Sequence, residues 1–198
     1  MLFQALDDKK ECIGIYVNDD LAFEKIPQDL THTWSFSSSV DKEGIQYAKI
    51  YALGRELSEV CPSHLRDDFE RVHKKMKSFY KSFFLSKVSL HEHCFYDLVP
   101  RRHLLEYFSV KNEICKWVFE NYEKPANHDL LVKTMRMTSS ISLQSFQVDR
   151  EELNPHIAED RVRTFRKRLG SAPQRVVYNP FGTVTGRLTV SKSSFPIL

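Results

Sequence analysis

The sequence predicts an α+β chain with a small N-terminal antiparallel sheet, a helical middle, and a C-terminal helix plus β-hairpin. Three observations support this prediction. Apolar and polar residues alternate near the N-terminus, apolar residues recur at helical spacing after Pro62, and turn residues separate two β-rich stretches near the C-terminus. These patterns divide the 198 residues into a β-rich region 1–61, a helical region 62–145 and a C-terminal region 146–198.

In the N-terminal region, residues 2–6 and 12–17 have the composition of two short strands joined by a charged turn. Residues 27–44 are rich in Ser, Thr and Asp and predict a loop with one more strand. Residues 45–53 are again strand-like. Together these stretches predict a small antiparallel sheet.

The helical region begins with a long amphipathic helix, because its apolar residues are spaced by three and four. Those residues are Leu65, Phe69, Val72, Met76, Phe79, Phe83 and Phe84. Ser63 is the expected N-cap, with acidic residues early in the helix and lysines later. Three further helices are predicted at about 100–108, 111–122 and 125–139.

The C-terminal region follows an extended segment at 141–148. Asp149 is expected to begin a helix that continues to Leu169 and stops at Gly170. Residues 175–178 then form a strand, Asn179-Pro180-Phe181-Gly182 a turn, and residues 183–190 the second arm of a hairpin.

Composition excludes several classes of protein. No apolar run approaches the roughly 20 residues that span a bilayer, and the N-terminus becomes acidic after six residues, so neither a membrane anchor nor a secretory signal is expected. No two of the four cysteines have the CxxC spacing, which favours reduced thiols. The cysteines are Cys12, Cys61, Cys94 and Cys115. We therefore expect a cytoplasmic protein.

Charge is unevenly distributed along the chain. The formal net charge is +3. Residues 150–198 hold nine Lys and Arg and four Asp and Glu, whereas residues 1–149 hold 20 Lys and Arg and 22 Asp and Glu. Such asymmetry favours a surface that faces a polyanion, and a solvated helix face is the alternative.

The hairpin contains the most informative motif, Thr185-Gly186-Arg187-Leu188-Thr189, with Lys192 close behind. A glycine lets another backbone approach closely. A guanidinium held beside it can donate to acceptors in a duplex minor groove or on phosphate, and the threonine hydroxyls add donors. These residues are the predicted DNA-binding site, and a plain β-hairpin with a surface salt bridge is the alternative.

This motif, with Pro196 nine residues after the arginine, resembles the TGRLS segment of family A DNA polymerases. Phe146-Gln147-Val148-Asp149, with Leu153, resembles the start of the polymerase region in that family, and the segments at 97–100 and 120–125 resemble its phage-encoded members. The resemblance implies that residues 146–198 lie at the edge of a polymerase palm. It also implies that Arg187 reaches the minor groove of the primer-terminal base pair.

The chain departs from the family pattern in three ways. Ser191–Leu198 lacks the amide side chains that usually follow TGRLS, only about 16 residues separate Leu169 from Arg187 where the family has a long thumb, and the D-Y-S-x-x-E, H-D-E and K-x-x-x-N-x-x-x-Y-G motifs are absent. The resemblance therefore implies an N-terminal subunit or fragment with no catalytic residue or metal ligand of its own. A separate chain would supply the carboxylates, Mg²⁺ and nucleotide selection.

Other interpretations remain open. One is a non-catalytic DNA-binding or protein-interaction module, and another is a nuclease that uses Asp7, Asp8 and Glu11. The lysines of the long helix could track duplex phosphates in place of a thumb. A metal site is the last alternative, and its candidate ligands are His91, Glu92, His93, Cys94, Asp97 and His103.

Overall fold

A computed structural model describes residues 3–6, 13–17, 20–22, 31–36, 43–90, 92–169, 173–183, 186–191 and 194–195. The structure is mixed α+β, which confirms the predicted fold class at that level. The chain forms two compact units, unit 1 from Met1 to His128 and unit 2 from Asp129 to Leu198.

Unit 1 begins with a three-stranded antiparallel sheet in the order β1 (Phe3–Leu6), β2 (Ile13–Val17), β3 (Asp20–Ala22). Phe3 lies opposite Tyr16 in the register of the first pair. The two predicted strands are thus confirmed, and β3 adds a third whose central residue, Leu21, is buried.

A second, two-stranded sheet pairs β4 (His32–Thr33) with β5 (Gln46–Tyr47) in parallel, so the prediction of a single antiparallel sheet is wrong for these strands. The predicted strand over residues 45–53 is wrong beyond Tyr47, because α1 (Ala48–Tyr51) follows at once. The apolar residues of this helix and its C-cap are all buried: Ala48, Ile50, Tyr51 and Ala52. Burial on successive positions does not fit the alternation of a half-exposed strand.

Two helices follow. The short α2 (Leu57–Val60) begins with a reciprocal capping box between Glu56 and Glu59. The long predicted helix is confirmed as α3 (Arg66–Leu85), but Ser63 is not its N-cap, because a 3-10 turn at Ser63–Leu65 precedes the helix and Leu65 occupies the cap position.

After α4 (Phe95–Leu98), a single helix, α5 (Arg101–Asn121), replaces the two helices predicted at 100–108 and 111–122. The residues between them include no helix breaker, and the apolar face runs through without interruption. Its buried apolar members are Leu104, Phe108, Ile114, Cys115 and Val118. Because α5 contacts α1, α2 and α3, it is the central element of the unit 1 core.

A charged pair links α3 to α5 at the surface of the core. Arg71 donates to Glu106 across the two helices and to Asp68 at 2.9 Å on its own helix. The hydrogen bond from Arg71 holds the pKa of the Glu106 carboxyl below its usual value. The Arg71 side chain is 54% exposed and that of Glu106 34%, so we expect this pair to fix the orientation of the two helices more than to add stability.

The cysteines differ from the prediction at one position. Cys61 and Cys115 are free and buried, and burial raises the pKa of the Cys115 thiol to about 12. Cys94, in contrast, is disulfide-bonded, so the prediction of reduced thiols is wrong there. Cys12 lies outside the described residues.

Unit 2 contains α7 (Asp160–Arg168) and a hairpin of β6 (Tyr178–Asn179) and β7 (Thr189–Val190). The predicted helix from Asp149 is wrong over its first half. Asp149 instead accepts a hydrogen bond from the backbone of Glu151, and a 3-10 turn follows at Asn154–His156. Pro155 has no N–H to donate within a longer helix.

The boundary between the units falls at α6 (His128–Leu143), which begins later and ends later than the predicted helix at 125–139. The predicted extended segment at 141–148 is therefore wrong as far as Leu143. In the described part of the chain, no helix has the length and apolarity that crossing a membrane requires.

Candidate nucleic-acid interface

The hairpin of unit 2 is built on a small aromatic cluster. The ring centroid of Phe195 lies 5.0 Å from that of Phe146 and 6.0 Å from that of Phe165 on α7. Phe146 also forms a two-way backbone bridge with Gln174, with N···O distances of 3.0 and 2.8 Å. These contacts join the predicted start of the C-terminal region to the base of the hairpin.

Backbone hydrogen bonds extend the pairing below β6 and β7. The N–H of Ser191 donates to the carbonyl of Val177 at 2.8 Å, and that of Phe195 donates to Arg175 at 3.1 Å. The hydroxyl of Ser194, which is buried, accepts from the N–H of Val177 at 3.0 Å. The hairpin is therefore held over a longer span than its two-residue strands indicate.

The turn of the hairpin depends on Asn179 and Gly182. The Asn179 side chain accepts a hydrogen bond from the N–H of Phe181 at 3.0 Å, which is an Asx turn. A Cβ atom on Gly182 would lie only 1.6 Å from Oγ1 of Thr189, so the two arms meet where one of them has no side chain. The Thr189 hydroxyl itself lies 3.5 Å from the Asn179 carbonyl oxygen.

Thr183 fixes the backbone of Arg187. Its Oγ1 accepts a hydrogen bond from the N–H of Arg187 at 2.9 Å and donates one to the Arg187 carbonyl at 3.1 Å. Gly186, between them, has a φ of +73°, a left-handed conformation that favours glycine. Thr183 and Arg187 are therefore tied to each other, and among the described residues the predicted strand over 183–190 is confirmed only for Thr189–Val190.

The Arg187 side chain is exposed and forms no ion pair with any described residue. Of the five predicted DNA-binding residues, Arg187, Gly186 and Thr189 lie together at the end of the hairpin. Thr185 and Lys192 lie outside the described residues. The sequence analysis did not identify Thr183 as a residue that positions Arg187. The available signal is its spacing, four residues before an arginine that follows a glycine.

Other cations of unit 2 add to the positive surface. Unit 2 holds eleven Lys and Arg against six Asp and Glu. Arg163 lies 3.3 Å from Asp160, and Arg166 donates to Asn154 at 2.7 Å. The exposed cations of unit 2 without an acidic partner among the described residues are Lys133, Arg161, Lys167, Arg168, Arg175 and Arg187.

The alternative metal site loses one of its ligands, because a disulfide-bonded Cys94 has no thiolate to offer. His91, and the acidic residues of the nuclease alternative, Asp7, Asp8 and Glu11, lie outside the described residues. Among the residues that are described, no three His, Cys, Asp or Glu side chains converge in a way that would hold a metal ion.

Unit 1 contains a cavity of about 350 Å³ between Leu21 and the segment from Tyr96 to Arg101, with Leu104 as a further lining residue. Arg101 forms an ion pair with Asp20 and lowers the pKa of that carboxyl. The positive charge that Arg101 brings to the cavity is thus neutralised, which makes the cavity a weaker candidate than the hairpin for binding an anion.

Comparison of the chain with models of known protein families, with curated proteins and with solved structures finds no match.

A change at Gly182 tests whether the close approach positions this site. Gly182→Ala is expected to lower the free energy of unfolding of unit 2 by about 1–3 kcal/mol, because the new methyl group overlaps Thr189. Hydrogen exchange at the amides of Ser191 and Phe195 measures the loss. Gly186→Asn is the control, since no atom of the described residues other than its chain neighbours lies within 4 Å of its Cβ position, and Asn tolerates a positive φ. Equal protection in Gly182→Ala and the unchanged protein would contradict the prediction.

Proposed function

We propose that this chain binds primer–template DNA through the β6–β7 hairpin, with Arg187 in the minor groove at the primer terminus. In this proposal it is the N-terminal subunit or fragment of a family A DNA polymerase that acts in DNA replication. The observation that carries the proposal is the fixed backbone of Arg187, which Thr183 holds on both sides while the guanidinium stays exposed.

The chemistry of the minor groove supports an arginine in this role. Purine N3 and pyrimidine O2 are acceptors in every base pair, so a donor placed there recognises a correctly formed pair without reading its sequence. A guanidinium presents several N–H groups in one plane and keeps its charge at all physiological pH values. The other exposed cations of unit 2, such as Arg175 and Arg168, supply contacts to phosphates.

A second polypeptide completes the proposed enzyme. The described residues of this chain offer no group of carboxylates for Mg²⁺, so we derive no phosphoryl-transfer step from them. The proposal assigns the catalytic carboxylates, Mg²⁺ and nucleotide selection to a polypeptide that carries the downstream motifs of the family. The expected place of action is the cytoplasm, of the host cell if the chain is phage-encoded.

Equilibrium binding tests the proposal directly. A fluorescein-labelled primer–template junction is titrated with the full chain, and anisotropy is measured at several salt concentrations. Arg187→Ala is expected to weaken binding roughly 5- to 100-fold, which is the usual cost of losing an arginine that contacts base edges.

Lys133→Ala is the matched control, because it removes one exposed charge from the same unit but lies on α6, outside the hairpin. Its effect is expected to stay within about twofold. If Arg187→Ala and Lys133→Ala weaken binding equally, Arg187 contributes only net charge and its assigned position is wrong. Failure of the unchanged chain to bind the junction at low salt would reject the proposal as a whole.

A further inference from the structure

The C-terminal half of α3 carries a second surface that the hairpin does not explain. We call it the α3 patch and define it by five residues: Lys77, Tyr80, Lys81, Phe84 and Leu85. Three of these are large apolar side chains left in solvent, with Tyr80 50%, Phe84 71% and Leu85 68% exposed. Isolated exposed apolar residues are ordinary, but three within two helical turns need an explanation.

The core does not require these side chains. The buried stripe of α3 consists of Phe69, Val72 and Met76, and Phe79 and Phe83 continue it as partly buried residues packed against the core. At 3.6 residues per turn, Tyr80 and Phe84 lie beside that stripe and on the same side of the helix. They are separated by about 6 Å along its axis, since each residue rises 1.5 Å.

The charged residues on this half of α3 all have one sign. Residues 71–90 contain six Lys and Arg and no Asp or Glu. Arg71 is neutralised by Asp68 and Glu106, whereas the lysines at 74, 77, 81 and 87 have no acidic partner in the described part of the chain. The patch therefore presents two aromatic rings with Lys77 and Lys81 alongside, and its occupant must be anionic.

We propose that the α3 patch binds single-stranded nucleic acid, with bases stacked on Tyr80 and Phe84 and phosphates on Lys77 and Lys81. Single strands are bound by this combination, because every base has a face that stacks on an aromatic ring and every linkage carries a negative charge. The ring of Phe95 lies beside that of Tyr80, at 6.1 Å between ring centroids.

An anionic membrane surface is the competing occupant, and the structure favours it less. A helix that lies in a bilayer interface needs a wide apolar face for the acyl chains. In α3 that face is already used, because Phe69, Val72 and Met76 are buried in the core of unit 1. What remains exposed is two rings and one leucine with charged residues between them, which suits stacking better than insertion.

The test measures binding of a fluorescein-labelled 15-nucleotide oligothymidylate to the full chain by anisotropy. The double variant Tyr80→Ala/Phe84→Ala is expected to weaken binding by roughly tenfold or more, because each stacked base contributes substantially to affinity. The double variant Lys77→Gln/Lys81→Gln is expected to reduce the slope of log affinity against log salt by about 1.4, at about 0.7 per phosphate contact. All four side chains lie at the surface, and circular dichroism checks that each variant is folded.

Leu130→Ala/Lys133→Gln on α6 is the matched control, since it also removes an exposed apolar group and an exposed charge. It is expected to change oligothymidylate affinity by less than about twofold. Unchanged affinity in Tyr80→Ala/Phe84→Ala would overturn the inference. A second result would also overturn it: the variant still binds oligothymidylate but no longer binds phosphatidylserine vesicles. That result assigns the patch to a membrane.

The inference does not rest on the proposed function of the hairpin, and one variant separates them. Arg187→Ala is expected to leave oligothymidylate binding within twofold while it weakens binding of the primer–template junction. If instead Arg187→Ala alone abolishes oligothymidylate binding, single strands bind at the hairpin and the α3 patch is not their site.

Discussion

Phe108→Ala is expected to lower the free energy of unfolding of unit 1 by about 3–5 kcal/mol, which is a large part of the stability of a domain of this size. Phe108 is 1% exposed at the centre of α5, with the rings of Tyr96 and Tyr107 5.9 and 5.4 Å away. Removing its ring leaves a cavity that the surrounding helices only partly fill. Urea denaturation measures the change.

Tryptophan fluorescence is the appropriate signal, because both tryptophans of the chain, Trp34 and Trp117, belong to unit 1. Phe84→Ala is the control: it removes the same ring from a position that is 71% exposed, and the expected loss is within about 0.5 kcal/mol. Equal losses in the two variants would mean that Phe108 is not at the centre of the core.

Arg187→Ala is expected to reduce primer extension roughly 10- to 100-fold when the chain is combined with a polypeptide that carries the downstream motifs. In the proposed function, Arg187 is the donor that holds the primer-terminal pair in the reactive geometry, and the variant lacks that donor. Arg187→Lys keeps the charge without the planar guanidinium. Its extension rate is expected to lie between those of Arg187→Ala and the unchanged chain. Steady-state extension of a labelled primer is the measurement, and Lys133→Ala is the control.

Two results would contradict this expectation in different ways. Full extension activity in Arg187→Ala would mean that Arg187 does not contact the primer terminus. Binding of the primer–template junction with no extension in any combination would favour the alternative of a non-catalytic DNA-binding module.

The elements that could be predicted from the sequence were those with a long, regular pattern. The apolar spacing from Phe69 to Met76 identified α3, and the alternation in residues 13–17 identified β2. The division of α5 at Ser109 and Val110 was wrong, because these two residues are only weak helix formers and the apolar face that is buried before and after them continues through. The pattern could not separate strand from helix at Ala48–Tyr51, where every residue except Lys49 is buried.

In the candidate site, too, features of adjacent residues could be predicted, and features that depend on packing could not. Gly186 and Arg187 were recognisable as a motif of adjacent residues. Gly182 was predicted only as part of a turn, since its approach to Thr189 depends on how two arms of the hairpin are paired. The α3 patch could not be predicted at all in this form, because Phe84 has the spacing of a core residue and only the packing of α3 leaves it in solvent.

The hydrogen bonds between Thr183 and Arg187 also affect the entropy of binding. A flexible loop that becomes ordered on its ligand loses roughly 1–2 kcal/mol of backbone conformational entropy for each residue fixed. Here one hydroxyl fixes the N–H and the carbonyl of Arg187 in the free protein, so folding has already removed that freedom. In the proposed function, what Arg187 itself still loses on binding is the rotamer freedom of its side chain, about 2 kcal/mol at most.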